Sequence, residues 1–129
     1  MTNSESILVC SKGAPDIVLN YCTNYIDKEG SVQSLNDDVI NTINQQLLFY
    51  SQNMLSCLLI AYREGGNYST PEEAESNLTI IGIAAISDPL REEVPNAVAE
   101  CKKAGVMVRM VTGDNIETAK AIAKECGIL

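Results

Sequence analysis

The chain has 129 residues, of which 46% are apolar, enough for one ordinary domain or parts of two with a real core. Its net charge of −8 excludes the usual nucleic-acid or anionic-membrane surface, since both recruit clustered Lys and Arg. Five cysteines, Cys10, Cys22, Cys57, Cys101 and Cys126, show no C-x-x-C spacing and lie in apolar runs or on apolar helix faces, so they are expected as small buried hydrophobes in a reducing compartment, not a disulfide framework or a zinc site, as their odd number also suggests.

Ile7 to Cys10 reads as a strand, and Lys12-Gly13-Ala14 turns into a helix opened by Pro15 and Asp16, with Ile17, Val18, Tyr21 and Cys22 on one face. Asn24 to Val32 reads as a connector carrying Gly30. Asn36 is placed to cap a longer helix, whose first turn holds Asp37 and Asp38 and whose apolar stripe runs through Val39, Ile40, Ile43, Leu47 and Met54. Cys57 to Tyr62 is expected as a buried strand. Arg63 to Asn77 is expected as a solvated loop with a short helical turn at Pro71 to Ser76, and its acidic run lacks the alternating carboxylates of a calcium loop.

Leu78 to Ile86 is the next strand, and this longest apolar run is about half of the ~20 residues that a transmembrane helix needs. The first ten residues have neither the basic start nor the apolar length of a signal peptide, so the chain as given is expected to be soluble. Val94 to Ala104 is expected as a helix stopped by Gly105, Val106 to Val111 as a strand, and Ile116 to Cys126 as a helix capped by Asn115 and stopped by Gly127.

Alternation of strand and helix with short loops predicts an α/β fold with a parallel sheet, whose ligands gather at the C-terminal ends of the strands. Thr112, Gly113 and Asp114 stand at such an end. Gly113 lets the backbone pass close to a ligand, and Thr112 offers a hydroxyl. The following helix begins with unpaired N–H groups and a positive dipole end, which suit an anion or a metal-bound phosphate. Plain turn and cap chemistry would ask for the same residues.

Two further motifs lie upstream, Ser11-Lys12-Gly13-Ala14-Pro15-Asp16 and Asp88-Pro89-Leu90-Arg91. In this order, together with Thr112-Gly113-Asp114, they resemble the large cytosolic loop of P-type cation-transporting ATPases. The stretches from Val108 to Asn115 and from Thr118 to Leu129 are most similar to the plasma-membrane-type, calmodulin-regulated calcium pumps.

The resemblance implies the C-terminal part of a nucleotide-binding domain over 1–86, built of a sheet plus helices. A partial Rossmann-like phosphorylation domain of the haloacid-dehalogenase type would follow over 87–129, with a hinge at 87–91. ATP and Mg2+ are the implied cofactors. Lys12 and Gly13 would border the adenine pocket, Arg91 would link the two domains near the nucleotide, Thr112 and Gly113 would hold the transferred phosphoryl oxygens, and Asp114 would stand beside the magnesium. The plain alternatives are a solvated Lys12, an Arg91 paired i,i+3 with Asp88, and an Asp114 that merely favours the next helix start. The implied partners are ATP and the remainder of the pump with its membrane helices, at the cytosolic face of a membrane, with calmodulin a partner of the parent only and no nucleic acid.

Departures from the family pattern carry information too. Leu55-Ser56-Cys57-Leu58 stands where the family usually has Leu-Arg-x-Leu, so Ser56 replaces an arginine that contacts nucleotide phosphates. A serine cannot form that bidentate fork, which leaves Arg63 or another group to compensate. The family's Asp-Lys-Thr-Gly-Thr motif, which carries the phosphorylated aspartate, does not occur in these 129 residues, nor does the later Thr-Gly-Asp-Gly-x-Asn-Asp motif. Alone, the chain is therefore expected neither to pump nor to hydrolyse ATP. The reading is a fragment of an ATP-driven calcium-transporting pump; the alternative is a truncated, non-catalytic nucleotide-binding or regulatory module. A soluble phosphatase of the same superfamily would need an Asp-x-Asp strand end that the sequence lacks, and a generic flavodoxin-like domain leaves the Lys-Gly-Ala and Asp-Pro-x-Arg matches unexplained.

Overall fold

A computed structural model describes residues 7–66 and 68–129. Strand β1 (Leu8–Gly13) alternates exposed and half-buried side chains, the period of a strand with one face against a core. Pro15 opens helix α1 (Pro15–Val18), which tightens into a 3₁₀ turn at Leu19–Tyr21. Strands β2 (Cys22–Ile26) and β3 (Val32–Ser34) then pair as a hairpin where the sequence reads as a plain connector. Asp27 builds that turn. Its Oδ1 accepts from the N–H groups of Ser31 at 2.8 Å and Glu29 at 3.0 Å, its Oδ2 accepts from Gln33 at 3.0 Å, and Gly30 supplies a left-handed φ of 85°. These donors, the Ser31 N–H first, hold the Asp27 carboxyl below its ordinary value.

Helix α2 (Asp37–Gln52) starts as expected at Asn36, whose Oδ1 accepts from the Val39 N–H at 2.9 Å. It ends short of Met54, which turns the chain at a φ of 59° into β4 (Leu55–Glu64). Thr70 caps the short α3 (Pro71–Ala74), and β5 (Leu78–Ser87), α4 (Val94–Lys103) and α5 (Ile116–Glu125) follow. Gly105 and Gly127, both left-handed, close α4 and α5 as the sequence predicts.

The five strands form one sheet in the order β1-β4-β5-β2-β3. β1 runs antiparallel to β4, with Cys10 opposite Tyr62 and Lys12 opposite Ile60, and β2 runs antiparallel to β3 but parallel to β5. The expected parallel sheet is thus a mixed one, because a connection as short as that between β2 and β3 only permits an antiparallel return.

The expected strand over 106–111 does not form. Its residues belong to none of the five paired strands, and Val111 is 97% exposed. Apolar alternation gives a segment the propensity for a strand, but only a hydrogen-bonded neighbour makes it one.

The chain divides into two compact units, one of the described residues up to Thr42 with Cys57–Ala84, the other of Ile43–Ser56 with Ala85–Leu129. Val18, Leu59, Ala61, Leu78 and Ile80 form the core of the first; Val98, Ala123 and Cys126, with Ser51 and Thr118, are buried in the second. Among the described residues, no helix is long and apolar enough to cross a membrane.

Leu59→Ala removes a fully buried side chain and should lower stability by about 2–5 kcal/mol, whereas Ile60→Ala on the open face should cost about 1 kcal/mol or less; urea denaturation of the two variants compares them directly. A second expectation concerns Cys22, whose Sγ donates to the Val18 carbonyl at 3.2 Å and whose burial pushes the thiol from 9.0 up to about 11. Its folded value is raised, so its contribution to stability is fully present below pH 9.0 and declines as pH climbs toward 11. Iodoacetamide at pH 9 should accordingly alkylate the exposed Cys10 roughly ten times faster than Cys22, read by peptide mass spectrometry.

Candidate functional site

The start of α5 is fastened before any functional group is placed. Asn115 Oδ1 accepts from the N–H groups of Glu117 and Thr118, both at 3.0 Å, and Asn115 Nδ2 donates to Ser51 Oγ at 3.1 Å. Two of the N–H groups expected to face an anion are therefore already satisfied, and the helix start offers a phosphate less than the sequence suggests. Thr118, fully buried, donates to the Leu55 carbonyl at 3.5 Å and ties the same helix to the beginning of β4.

Asp114, one residue before the cap, is held on both carboxylate oxygens. Ser56 Oγ donates to Oδ1 at 2.6 Å and Thr112 Oγ1 donates to Oδ2 at 2.9 Å, while the Asp114 N–H donates back to Thr112 Oγ1 at 3.1 Å. Hydroxyl-to-carboxylate bonds of this length are charge-assisted. One donor on each oxygen leaves further lone pairs for a ligand. A Cβ on Gly113 would meet nothing within 4 Å, so the space beside its backbone is open.

Ser56 and Asp114 share a cleft of about 650 Å³ with Met54, Asp88, Arg91 and Ile122. Arg91 is exposed and its side chain makes no hydrogen bond or ion pair among the described residues, so the plain i,i+3 pairing with Asp88 is not made. Its guanidinium remains available to an anion. No group of three or more metal-ligating side chains occurs among the described residues. Magnesium asks for less, commonly one or two carboxylates completed by phosphate oxygens and water, and Asp114, with lone pairs left on both oxygens, is a carboxylate of that kind.

Lys12 and Gly13 belong to the first unit. Lys12 is exposed on β1 opposite Ile60, and Gly13 ends the strand opposite Leu59. A Cβ on Gly13 would lie 3.0 Å from Val18 Cγ2, tighter than an ordinary contact, so the strand packs closely on α1 at this glycine. Arg63 is engaged within the first unit. Its Nη1 donates to the Ser76 carbonyl at 2.8 Å, Ser76 Oγ at 3.0 Å and the Glu73 carbonyl at 3.2 Å, and its guanidinium lies 5.0 Å from the Tyr68 ring centroid. These bonds commit it to fastening the loop around α3. Sequence reasoning missed Ser51 and the bond from Ser56 to Asp114; the available signal for Ser56 was a lone hydroxyl inside the apolar run from Met54 to Ile60.

A family model described as the P-type ATPase cytoplasmic domain N matches residues 1–93. The chain belongs to this P-type ATPase family. It is 47% identical over 120 residues to calcium-transporting ATPase 3, plasma membrane-type, of Oryza sativa subsp. japonica, a match covering 92% of this chain and 12% of that protein. It is 40% identical over 129 residues to calcium-transporting ATPase PAT1 of Dictyostelium discoideum, covering 98% and 12% respectively. With plasma membrane calcium-transporting ATPase 4 of Bos taurus the identity is 42% over 127 residues, covering 92% and 10%. This P-type ATPase chain thus spans about 12% or less of the length of the relatives it matches.

Asn115→Ala should remove both cap bonds of α5 and lower stability by about 1 kcal/mol. Asn115→Asp keeps the acceptor and should retain most of it; urea midpoints of the two variants give the comparison.

Proposed function

We propose that this chain is the segment of a calcium-transporting P-type ATPase that contributes nucleotide binding over 1–86 and part of the phosphoryl and magnesium site over 87–129. The second part would belong to a Rossmann-like phosphorylation domain of the haloacid-dehalogenase type, with the hinge at 87–91. The observation that carries the reading is the Asp114 carboxylate, oriented by two hydroxyls in a cleft that also holds the unpaired Arg91 guanidinium. An oriented carboxylate, a free cation and an open backbone at Gly113 are the parts that handle a magnesium-bound phosphate. The names of the relatives support calcium as the transported ion.

Each residue has a separate task in this reading. Lys12 offers its ammonium beside the apolar Ile60 on an open sheet face, which suits a nucleotide with an apolar base and charged phosphates. Gly13 supports that position through its contact with α1, and Arg91 presents a planar fork to phosphate oxygens. The Thr112 hydroxyl and the Gly113 N–H hold the phosphoryl oxygens in place. Asp114 would hold magnesium with water and phosphate oxygens; when bound, the ion neutralises charge developing on the phosphoryl group. The phosphorylated aspartate and the membrane helices would come from the rest of the pump, as would any contact with calmodulin.

The test is a chimera in which this segment replaces the matching stretch of the Oryza sativa relative. Asp114→Asn should keep ATP binding yet reduce phosphoenzyme formation by about 100-fold or more, while Lys12→Ala should raise the KM for ATP by about 10-fold with little change in kcat, since a pocket-bordering group binds ground and transition states alike. Normal phosphoenzyme yield in Asp114→Asn would reduce Asp114 to a helix-start residue, whose replacement costs at most about 1 kcal/mol.

A further inference from the structure

We propose that Ser56 is the positioning residue for Asp114, and that it releases the Thr112 hydroxyl for a phosphoryl oxygen; this rests on the phosphoryl-site reading above. The point turns on a proton count. A threonine hydroxyl has one proton to donate, and that of Thr112 is directed at Asp114 Oδ2 at 2.9 Å. Thr112 therefore cannot hold a phosphoryl oxygen by that proton while it alone also orients Asp114. Ser56 removes the conflict, because its Oγ occupies the other carboxylate oxygen at the shorter distance of 2.6 Å.

The two donors differ in how firmly they are mounted. Ser56 lies within β4, and the carbonyl of its neighbour Leu55 accepts from the buried Thr118 hydroxyl at 3.5 Å. Thr112 is exposed and lies outside any helix or strand. Ser56 is the fixed donor and Thr112 the one that turns. Rotation about the Thr112 Cβ–Oγ1 bond carries the proton from Asp114 Oδ2 to an arriving phosphoryl oxygen without breaking a covalent bond. Asp114 meanwhile stays in place on Ser56, with its lone pairs on Oδ2 freed. An alanine at 56 leaves Asp114 dependent on Thr112, and the two duties of that hydroxyl then compete.

The deciding measurement is the set of NMR three-bond couplings about the Asp114 Cα–Cβ bond in the 129-residue chain. Wild type and Thr112→Val should show one χ1 rotamer, Ser56→Ala should show rotamer averaging, and Ser56→Thr, which keeps a hydroxyl, should restore the single rotamer. In the chimeric pump, Ser56→Ala should raise by about 10-fold the magnesium concentration that half-saturates phosphoenzyme formation, with an unchanged KM for ATP and recovery in Ser56→Thr. A single Asp114 rotamer in Ser56→Ala, or averaging in Thr112→Val instead, would overturn the positioning role. An inactive Asp114→Asn chimera alongside an unaltered magnesium dependence in Ser56→Ala would overturn the functional role of Ser56 and leave the phosphoryl site intact. A fully active Asp114→Asn chimera would instead overturn the phosphoryl site, and the rotamer measurement decides the anchoring by itself.

Discussion

With its side-chain oxygen Asn115 satisfies two N–H groups at the start of α5, and with its amide nitrogen it reaches Ser51 at the end of α2. Thr118, one turn into the helix, adds the bond to Leu55. These contacts bring three stretches of the second unit together before Asp114 is considered. A helix start left without such partners carries unsatisfied donors and frays. Here that would move Asp114 away from Ser56, because the two residues approach only through the seating of α5 beside the start of β4.

The charge arrangement around Asp114 follows from the same seating. The chain is strongly acidic, yet this carboxylate is oriented by two neutral hydroxyls and the nearby guanidinium of Arg91 is left unpaired. Neutral donors fix the direction of a carboxylate without cancelling its charge, whereas a guanidinium in the place of Ser56 could have paired with it. An oriented but uncompensated carboxylate keeps its full attraction for a divalent cation. Arg63, farther along the same strand, donates to Ser76 and Glu73.

What the sequence made legible was what local chemistry decides. Asn36 and Asn115 announce helix starts, Gly105 and Gly127 announce helix ends, and the apolar runs locate β4 and β5 to within a few residues, because caps and burial act over a few neighbouring positions. The hairpin of β2 and β3 was hidden because β3 is three exposed residues with no apolar alternation to read, although Asp27 and Gly30 mark its turn. The stretch from Val106 to Val111 carries the right alternation and forms no strand, since pairing is decided by a neighbour that local pattern does not contain. At the site, the bond between Thr112 and Asp114 spans two positions and could be anticipated. The bond between Ser56 and Asp114 spans 58 and could not.

The path of the chain through its two units has a bearing on inheritance. The polypeptide leaves the first unit after Thr42, returns at Cys57 and departs again after Ala84. A single break after Ala84 would leave the first unit whole but strip the second of Ile43–Ser56, and so of the serines that receive Asn115 and hold Asp114. The second unit therefore cannot be swapped between genes as one contiguous cassette. A lone crossover near residue 84 would join a 43–56 excursion from one parent to an α5 from the other, and only exchanges that preserve the hydroxyls at both 51 and 56 would keep the pair matched.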